Sequence, residues 1–325
     1  MKKISLIISL ITALFTSSCF SDEDLADHLN ITRKSGFKRI LNERYFRVLT
    51  TKNSFDYYIY QGVPKGIQLE MSKMLQQSIN ERYSSKKESL NIQYEMIPVE
   101  SDQLIPMLLK GKGDIIAAGL TITPQRKRTL RFSRPYRYVD EVIVTRRENL
   151  NIDFKGKVFH IRKSSSYYEA LVNYNKSKKK KIILRSVDET LHTENILELI
   201  SLGKFDYTVA DSHIANTAVN IFKNLVILKV RPFGTKLPIA WAVRKKSKRM
   251  VKEINLIIPR ISKGSVIGNI LSKKYFDDFG GIKARLKGKK NDKLSQYDSL
   301  IKKYSKRYKF DWRLISSLCY QESHF

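Results

Sequence analysis

The spacing of apolar residues switches repeatedly between a two-residue and a three-to-four-residue period along most of this chain. Residues 46–51 (FRVLTT) and 92–98 (IQYEMIP) read as strands. Between them, Ile67, Leu69, Met71, Met74, Leu75 and Ile79 recur at helical spacing across 66–83. Residues 101–110 predict a helix entered through Ser101, and 114–118 (DIIAA) predict a short buried strand bounded by glycines. The alternation continues with a strand at 158–161, a helix at 167–175, a strand at 182–184, a helix at 194–202 and a strand at 207–210. Strands separated by helices of this size predict an α/β architecture with mostly parallel sheets. Residues 280–294 (GGIKARLKGKKNDKL) are rich in glycine and lysine and read as a linker. Beyond it, 297–308 and 311–325 predict two further helices, with Asp311 placed as N-cap of the second.

The first twenty residues have a different texture. Two lysines precede an apolar run at 4–15, and small polar residues follow it up to Cys19. About 12 apolar residues fall short of the ~20 that span a bilayer, but they suit the core of a signal peptide. Ser17-Ser18-Cys19 resembles the end of a bacterial lipobox, which implies a signal peptide over 1–19 and a lipid on Cys19. Thr16 stands where a lipobox favours leucine, so an ordinary secretory signal with an incidental Cys19 is the alternative. Residues 20–45 are polar and mixed and read as a tether ending in a short helix.

Composition narrows the function classes. A chain of 325 residues suggests two or three structural units, and 42% apolar content is enough for packed cores. Two cysteines cannot build a disulfide framework. No CxxC pair, His/Cys cluster, Walker, Rossmann or Ser-hydrolase pattern occurs; the five histidines are scattered, and neither metal nor cofactor is expected. The balance of 61 Lys+Arg against 31 Asp+Glu gives +30, which implies polyanionic surroundings: nucleic acid, anionic lipid or wall polymer. Export disfavours nucleic acid, and no nucleic-acid-binding pattern appears. The KSKKKK run at 176–181 sits between a helix and a strand and reads as a solvated loop.

GDIIAAGLTITPQRKRTLRFSRPY (113–136), GKFDYTVADS (203–212) and PIAWAV (238–243), in this order, resemble the signature segments of family 3 periplasmic solute-binding proteins. The resemblance covers roughly 47–279. It implies a two-lobed, type II periplasmic-binding-protein fold, with lobe one at 46–140 and 240–279 and lobe two at 145–238. A ligand cleft would lie between them. By spacing alone, Arg126 in its QRKR cluster is an exposed cation and Asp211 is the N-cap of a following helix. The resemblance implies instead that Arg126 clamps the carboxylate of a small amino acid or peptide, assisted by Thr121. An arginine suits that task because its fork bonds both carboxylate oxygens. Asp211 would face the ligand ammonium, Ser165 and Ser166 would supply donors from lobe two, and Phe55 or Tyr57 an aromatic wall.

Residues 297–325 (YDSLIKKYSKRYKFDWRLISSLCYQESHF) resemble the opening of the Slt-type lytic transglycosylase domain, a lysozyme-like α-helical fold. The resemblance rests on Asp311-Trp312-Arg313-Leu314-Ile315 and Gln321-Glu322-Ser323-His324-Phe325. It implies that Glu322 protonates the glycosidic oxygen of peptidoglycan and then takes the proton of the N-acetylmuramic acid 6-hydroxyl, leaving a 1,6-anhydro end. Such an acid needs an apolar pocket that raises its pKa. The family continues into a segment of the type SPxGAxGLMQ, which does not follow here. The third unit is therefore expected to be incomplete and not to form a working site alone. The combination resembles envelope lytic transglycosylases that carry a family 3 domain behind a lipoprotein signal, on the periplasmic face of a Gram-negative outer membrane. The alternative is a membrane-anchored solute-binding module without enzymatic activity.

Overall fold

A computed structural model of the chain describes residues 31–33, 36–60, 62–84, 91–150, 153–177, 181–230, 233–287, 297–308 and 310–323. The signal peptide and Cys19, residues 20–30 and 34–35 of the tether, residues 178–180 of the lysine run and residues 288–294 of the linker lie outside the described residues. Lobe one opens with α1 (Phe37–Glu43), β1 (Tyr45–Thr51), a hairpin of β2 (Tyr58–Tyr60) and β3 (Val63–Lys65), and α2 (Ile67–Tyr83). It continues through β4 (Gln93–Val99), α3 (Leu104–Leu109), β5 (Ile115–Ile116), α4 (Pro124–Thr129) and β6 (Leu130–Phe132). Lobe two comprises β7 (Arg137–Arg146), β8 (Val158–Ile161), α5 (Ser166–Ser177), β9 (Ile183–Ser186), α6 (Thr193–Ser201), β10 (Tyr207–Asp211), α7 (Ser212–Ile221), β11 (Leu225–Ile227) and β12 (Gly234–Ile239). The chain then returns to lobe one with β13 (Ala242–Arg244), α8 (Lys248–Ile261), α9 (Val266–Phe276) and α10 (Phe279–Lys287). Two helices follow, α11 (Asp298–Tyr308) and α12 (Trp312–Ser323).

Each lobe is built on one sheet. In lobe one the order is β4-β1-β5-β13-β6, and in lobe two β11-β7-β10-β8-β9, with β12 also on β7. The sheets are mixed, which corrects the mostly parallel expectation. β1 pairs β4 and β5 in parallel, but the returning β13 runs antiparallel to β5 and β6. In lobe two, β7 runs antiparallel to β10, β11 and β12. A strand that enters a lobe from the opposite lobe arrives in reverse, and local periodicity carries no trace of that direction. β1, between β4 and β5, is buried along almost its whole length: Phe46, Val48 and Leu49 are fully buried, and so is Arg47.

The two crossings between lobes lie side by side. Ser133 N–H donates to Trp241 O at 2.9 Å and Tyr136 N–H to Ile239 O at 3.0 Å. Trp241 is fully buried and its indole N–H donates to Gln68 Oε1 at 2.8 Å. Gln68 Nε2 donates to Asp56 Oδ1 at 3.1 Å and to the Tyr136 hydroxyl at 3.2 Å. The crossing is thereby tied to the cleft wall.

Three stretches differ from the sequence reading. The short helix expected at the end of the tether is α1 (residues 37–43), but Phe37 and Ile40 are buried in the core, so it belongs to the lobe and not to the tether. Residues 280–287, read as linker, belong to α10, where Ile282 and Leu286 are buried in a core that also takes in Ile221 of α7 in lobe two. The helix expected from Ser101 begins at Leu104; residues 101–103 form a turn, and the Ser101 hydroxyl accepts from Arg162 of lobe two. Asp311 does cap α12, its Oδ1 accepting from Arg313 N–H at 2.8 Å.

Candidate ligand-binding site

A cavity of about 120 Å³ lies between the lobes, and Phe55, Thr121, Arg126, Ser165, Ser166 and Asp211 all line it. Tyr57 is not among its walls. The TITP turn sets the lobe-one edge. Pro124 opens α4, and Thr123 Oγ1 accepts from Arg126 N–H at 3.3 Å. That geometry turns the Arg126 side chain into the cleft and not, like Lys127 and Arg128, outward. Its guanidinium donates to Thr121 O at 2.9 Å and, across the cleft, to Ser164 O at 3.0 Å. Burial pulls its pKa below the ordinary guanidinium value, and neighbouring carboxylates oppose that pull.

Asp211 does sit at the N-cap position of α7, but its side chain makes no capping bond. The carboxylate is buried, and among the described residues its Oδ1 has no partner. Burial first, and the Glu141 carboxylate second, push its pKa up to about 7, against the pull of Tyr167, Arg137 and Arg126. Glu141 stands directly opposite Asp211 in the β7–β10 register. It is itself buried, and desolvation holds its pKa above the carboxylate range.

The hydroxyls of lobe two divide their work. Ser166 Oγ donates to Thr121 Oγ1 at 3.3 Å, joining the lobes. Ser165 Oγ accepts from Tyr168 N–H at 3.3 Å and donates to Arg162 O at 2.7 Å, so it serves the start of α5. Phe55 stacks on Phe276 with ring centroids 5.0 Å apart, and the Arg137 guanidinium lies 4.7 Å over Phe276. Asp56, behind Phe55, accepts from Thr51, Asn53 and Gln68, yet its burial still raises its pKa.

Several residues of the site carried no sequence signal. Glu194 in the first turn of α6 accepts from Ser54 N–H of lobe one at 2.9 Å, and Arg162 reaches Ser101 in the other direction. With the Arg126–Ser164 bond, these contacts hold the lobes closed. His213 also lines the cavity; its buried Nδ1 has no partner among the described residues, and burial drives its pKa well below the usual value. Each depends on strand register or lobe closure, which no local pattern encodes. Glu322 falls in α12, and its side chain is outside what the structure describes. Among the described residues no group of three or more His, Cys, Asp or Glu could hold a metal, and no helix is long and apolar enough to cross a membrane. The cavity offers a half-buried cation from one lobe and a buried carboxylate with an open oxygen from the other. That pair can hold a small zwitterion.

Comparisons agree with this geometry. Among solved structures, an ancestral arginine-binding protein bound to arginine superposes with a TM-score of 0.58 at 23% identity, covering 71% of this chain and 98% of its own. An amino acid ABC transporter substrate-binding protein from Streptococcus pneumoniae, bound to L-arginine, gives 0.60 at 17%, covering 76% and 99%. At these identities the likeness concerns the fold: a type II periplasmic-binding-protein architecture. Among sequences, the membrane-bound lytic murein transglycosylase F of Desulfosudis oleivorans is 29% identical over 286 residues, 86% of this chain. That of Photobacterium profundum is 29% identical over 332 residues, 98% of this chain. The chain spans about 60% of the length of these relatives. The model of the bacterial extracellular solute-binding proteins, family 3, matches residues 46–278, and the chain belongs to that family.

Proposed function

We propose that the two-lobed unit binds a small amino acid or short peptide, with the ligand carboxylate toward Arg126 and its ammonium toward Asp211. The observation that carries this reading is the inter-lobe cavity lined both by the Arg126 guanidinium and by a buried carboxylate with an oxygen that has no partner among the described residues. Calorimetric titration with amino acids and short wall peptides tests it. At least one should bind the wild-type chain and bind far more weakly to Arg126→Ala and Asp211→Asn. A ligand bound equally by all three would remove the assignment.

The wider reading rests on the relatives' names and on Asp311-Trp312 and Glu322-Ser323 in α12. The unit serves an envelope protein, lipid-anchored through Cys19 at the outer membrane, that cleaves peptidoglycan between N-acetylmuramic acid and N-acetylglucosamine. Glu322 is the acid of that cleavage, and ligand closure of the lobes regulates it. The test is release of 1,6-anhydro-muropeptides from purified peptidoglycan by the native protein isolated from its own membranes. Glu322→Gln should abolish the release, and release that survives the substitution would exclude the role given to Glu322.

A further inference from the structure

The carboxylates of this chain are unevenly placed. No Asp or Glu occurs between Asp114 and Asp140, nor between Asp211 and Glu253. The fold lays the ends of these two stretches against one another. β6 pairs β13, with Val243 opposite Arg131 and Arg244 opposite Leu130. Lys245 Nζ donates to Lys127 O, Arg131 Nε donates to Lys245 O at 2.9 Å, and Arg134 N–H donates to Asn255 Oδ1 at 2.7 Å. A single face of lobe one therefore gathers Lys127, Arg128, Arg131 and Arg134 from the α4–β6 segment with Lys245 and Lys246 from the turn after β13 and Lys248 and Lys252 from α8. All are exposed except the half-buried Arg131, and among the described residues none has a carboxylate ion-pair partner. Their neighbours show the contrast: Arg244 is paired with Asp114, and Arg249 with Glu253.

Eight cations without counter-charge on one face repel each other, which costs folding stability and serves nothing inside the lobe. The face has two apolar features besides. Lys127, Arg131 and Lys245 rim a recess of about 350 Å³ that Phe132 and Leu130 also line. On α8, Lys248, Lys252 and Leu256 follow at four-residue spacing on one helix face, and Leu256 is 54% exposed.

We propose that this face docks on an anionic phospholipid surface, with the lysines and arginines among the headgroups and Leu256 entering the boundary with the acyl chains. Lysine-dominated, diffuse charge suits a field of headgroup phosphates more than one fixed anion. The exposed leucine in the same line separates lipid from wall polymer, because a sugar strand with stem carboxylates gives Leu256 nothing to enter. The surface is independent of the cleft and of any lipid on Cys19. It would hold lobe one against a membrane, with Arg126 turned inward from the same helix that presents Lys127 and Arg128.

The test is cosedimentation of the full chain carrying Cys19→Ser with phosphatidylcholine vesicles, with and without phosphatidylglycerol. The difference between the two vesicles is the quantity read. The quadruple variant Lys127→Glu, Arg128→Glu, Lys248→Glu, Lys252→Glu should lose that difference, with affinity for anionic vesicles falling on the order of a hundredfold or more. Added salt should weaken wild-type binding in the same direction. A control of equal net charge, Lys155→Glu, Lys204→Glu, Lys223→Glu, Lys229→Glu, alters exposed positions of lobe two and should keep most of the binding. Near-ultraviolet circular dichroism confirms that both variants are folded, and the milder set with Gln in place of Glu replaces either one that is not. Equal losses in the two variants would reduce the effect to overall charge and overturn the proposal. Patch-dependent binding to insoluble peptidoglycan without patch-dependent binding to vesicles would overturn it in favour of the wall.

Discussion

At the residue scale the site turns on Asp211. An unfolded aspartate titrates near ~3.9, whereas Asp211 in the fold is pushed to about 7. Between these values the native state holds a proton that the unfolded chain has released. Ligand-free stability should therefore fall as pH rises from about 4 to about 7, then level off. Asp56 and Glu141, also raised by burial, act in the same direction. Thermal melts across that range should show a smaller decline in Asp211→Asn than in the wild type; equal slopes would mean that Asp211 is ionised throughout. A bound ammonium favours the charged carboxylate, so ligand affinity should rise through the same window while apo stability falls. Arg126 and Asp211 were legible in the sequence because their segments, TITPQR and VADS, carry a family pattern. Glu141 was not, since its place opposite Asp211 is a fact of strand register. The same holds for His213, which spacing alone leaves isolated.

At the element scale, the boundaries that sequence misplaced are those set by distant packing. In α10 the pair Ile282 and Leu286 has helical spacing, but two glycines and a run of lysines around it gave the stretch the texture of a linker. Burial decides otherwise, and Ile282→Ala should destabilise the two-lobed unit by about 2–4 kcal/mol in denaturant titration. A true linker position would give a change near zero. Gly66, at the entry to α2, is a second such point. Its φ of +139° and the Asp56 carbonyl, 2.1 Å from where a Cβ would lie, leave room for glycine alone. Gly66→Ala should cost about 2 kcal/mol or more and should weaken ligand binding too, since the displaced backbone belongs to Asp56 on the cleft wall. Strand β7 shows the opposite case. Its burial alternates for most of its length, yet its direction relative to β10 and β12 was invisible, because that depends on the chain having just crossed from lobe one.

For the whole molecule, closure is held by a few bonds that need no ligand atom. Glu194 to Ser54, Arg162 to Ser101 and Arg126 to Ser164 each bridge the lobes. Removing one should shift the population toward an open form, since the two states of such a hinge differ by only a few kcal/mol. Glu194→Ala should enlarge the ligand-free radius of gyration in small-angle scattering and weaken ligand affinity severalfold, because Ser54 N–H loses its acceptor. Unchanged scattering would assign Glu194 to local support of α6. The crossings that carry the hinge also hold one of the chain's two tryptophans. Trp241 is sealed from solvent, with its indole bonded to Gln68 and so to the cleft wall, while Trp312 lies far along the chain in α12, with Lys302 4.2 Å over its ring. The molecule thus carries a native optical probe at its hinge: light emitted by Trp241 reports lobe movement in an unlabelled chain, and Trp312→Phe leaves that signal standing alone.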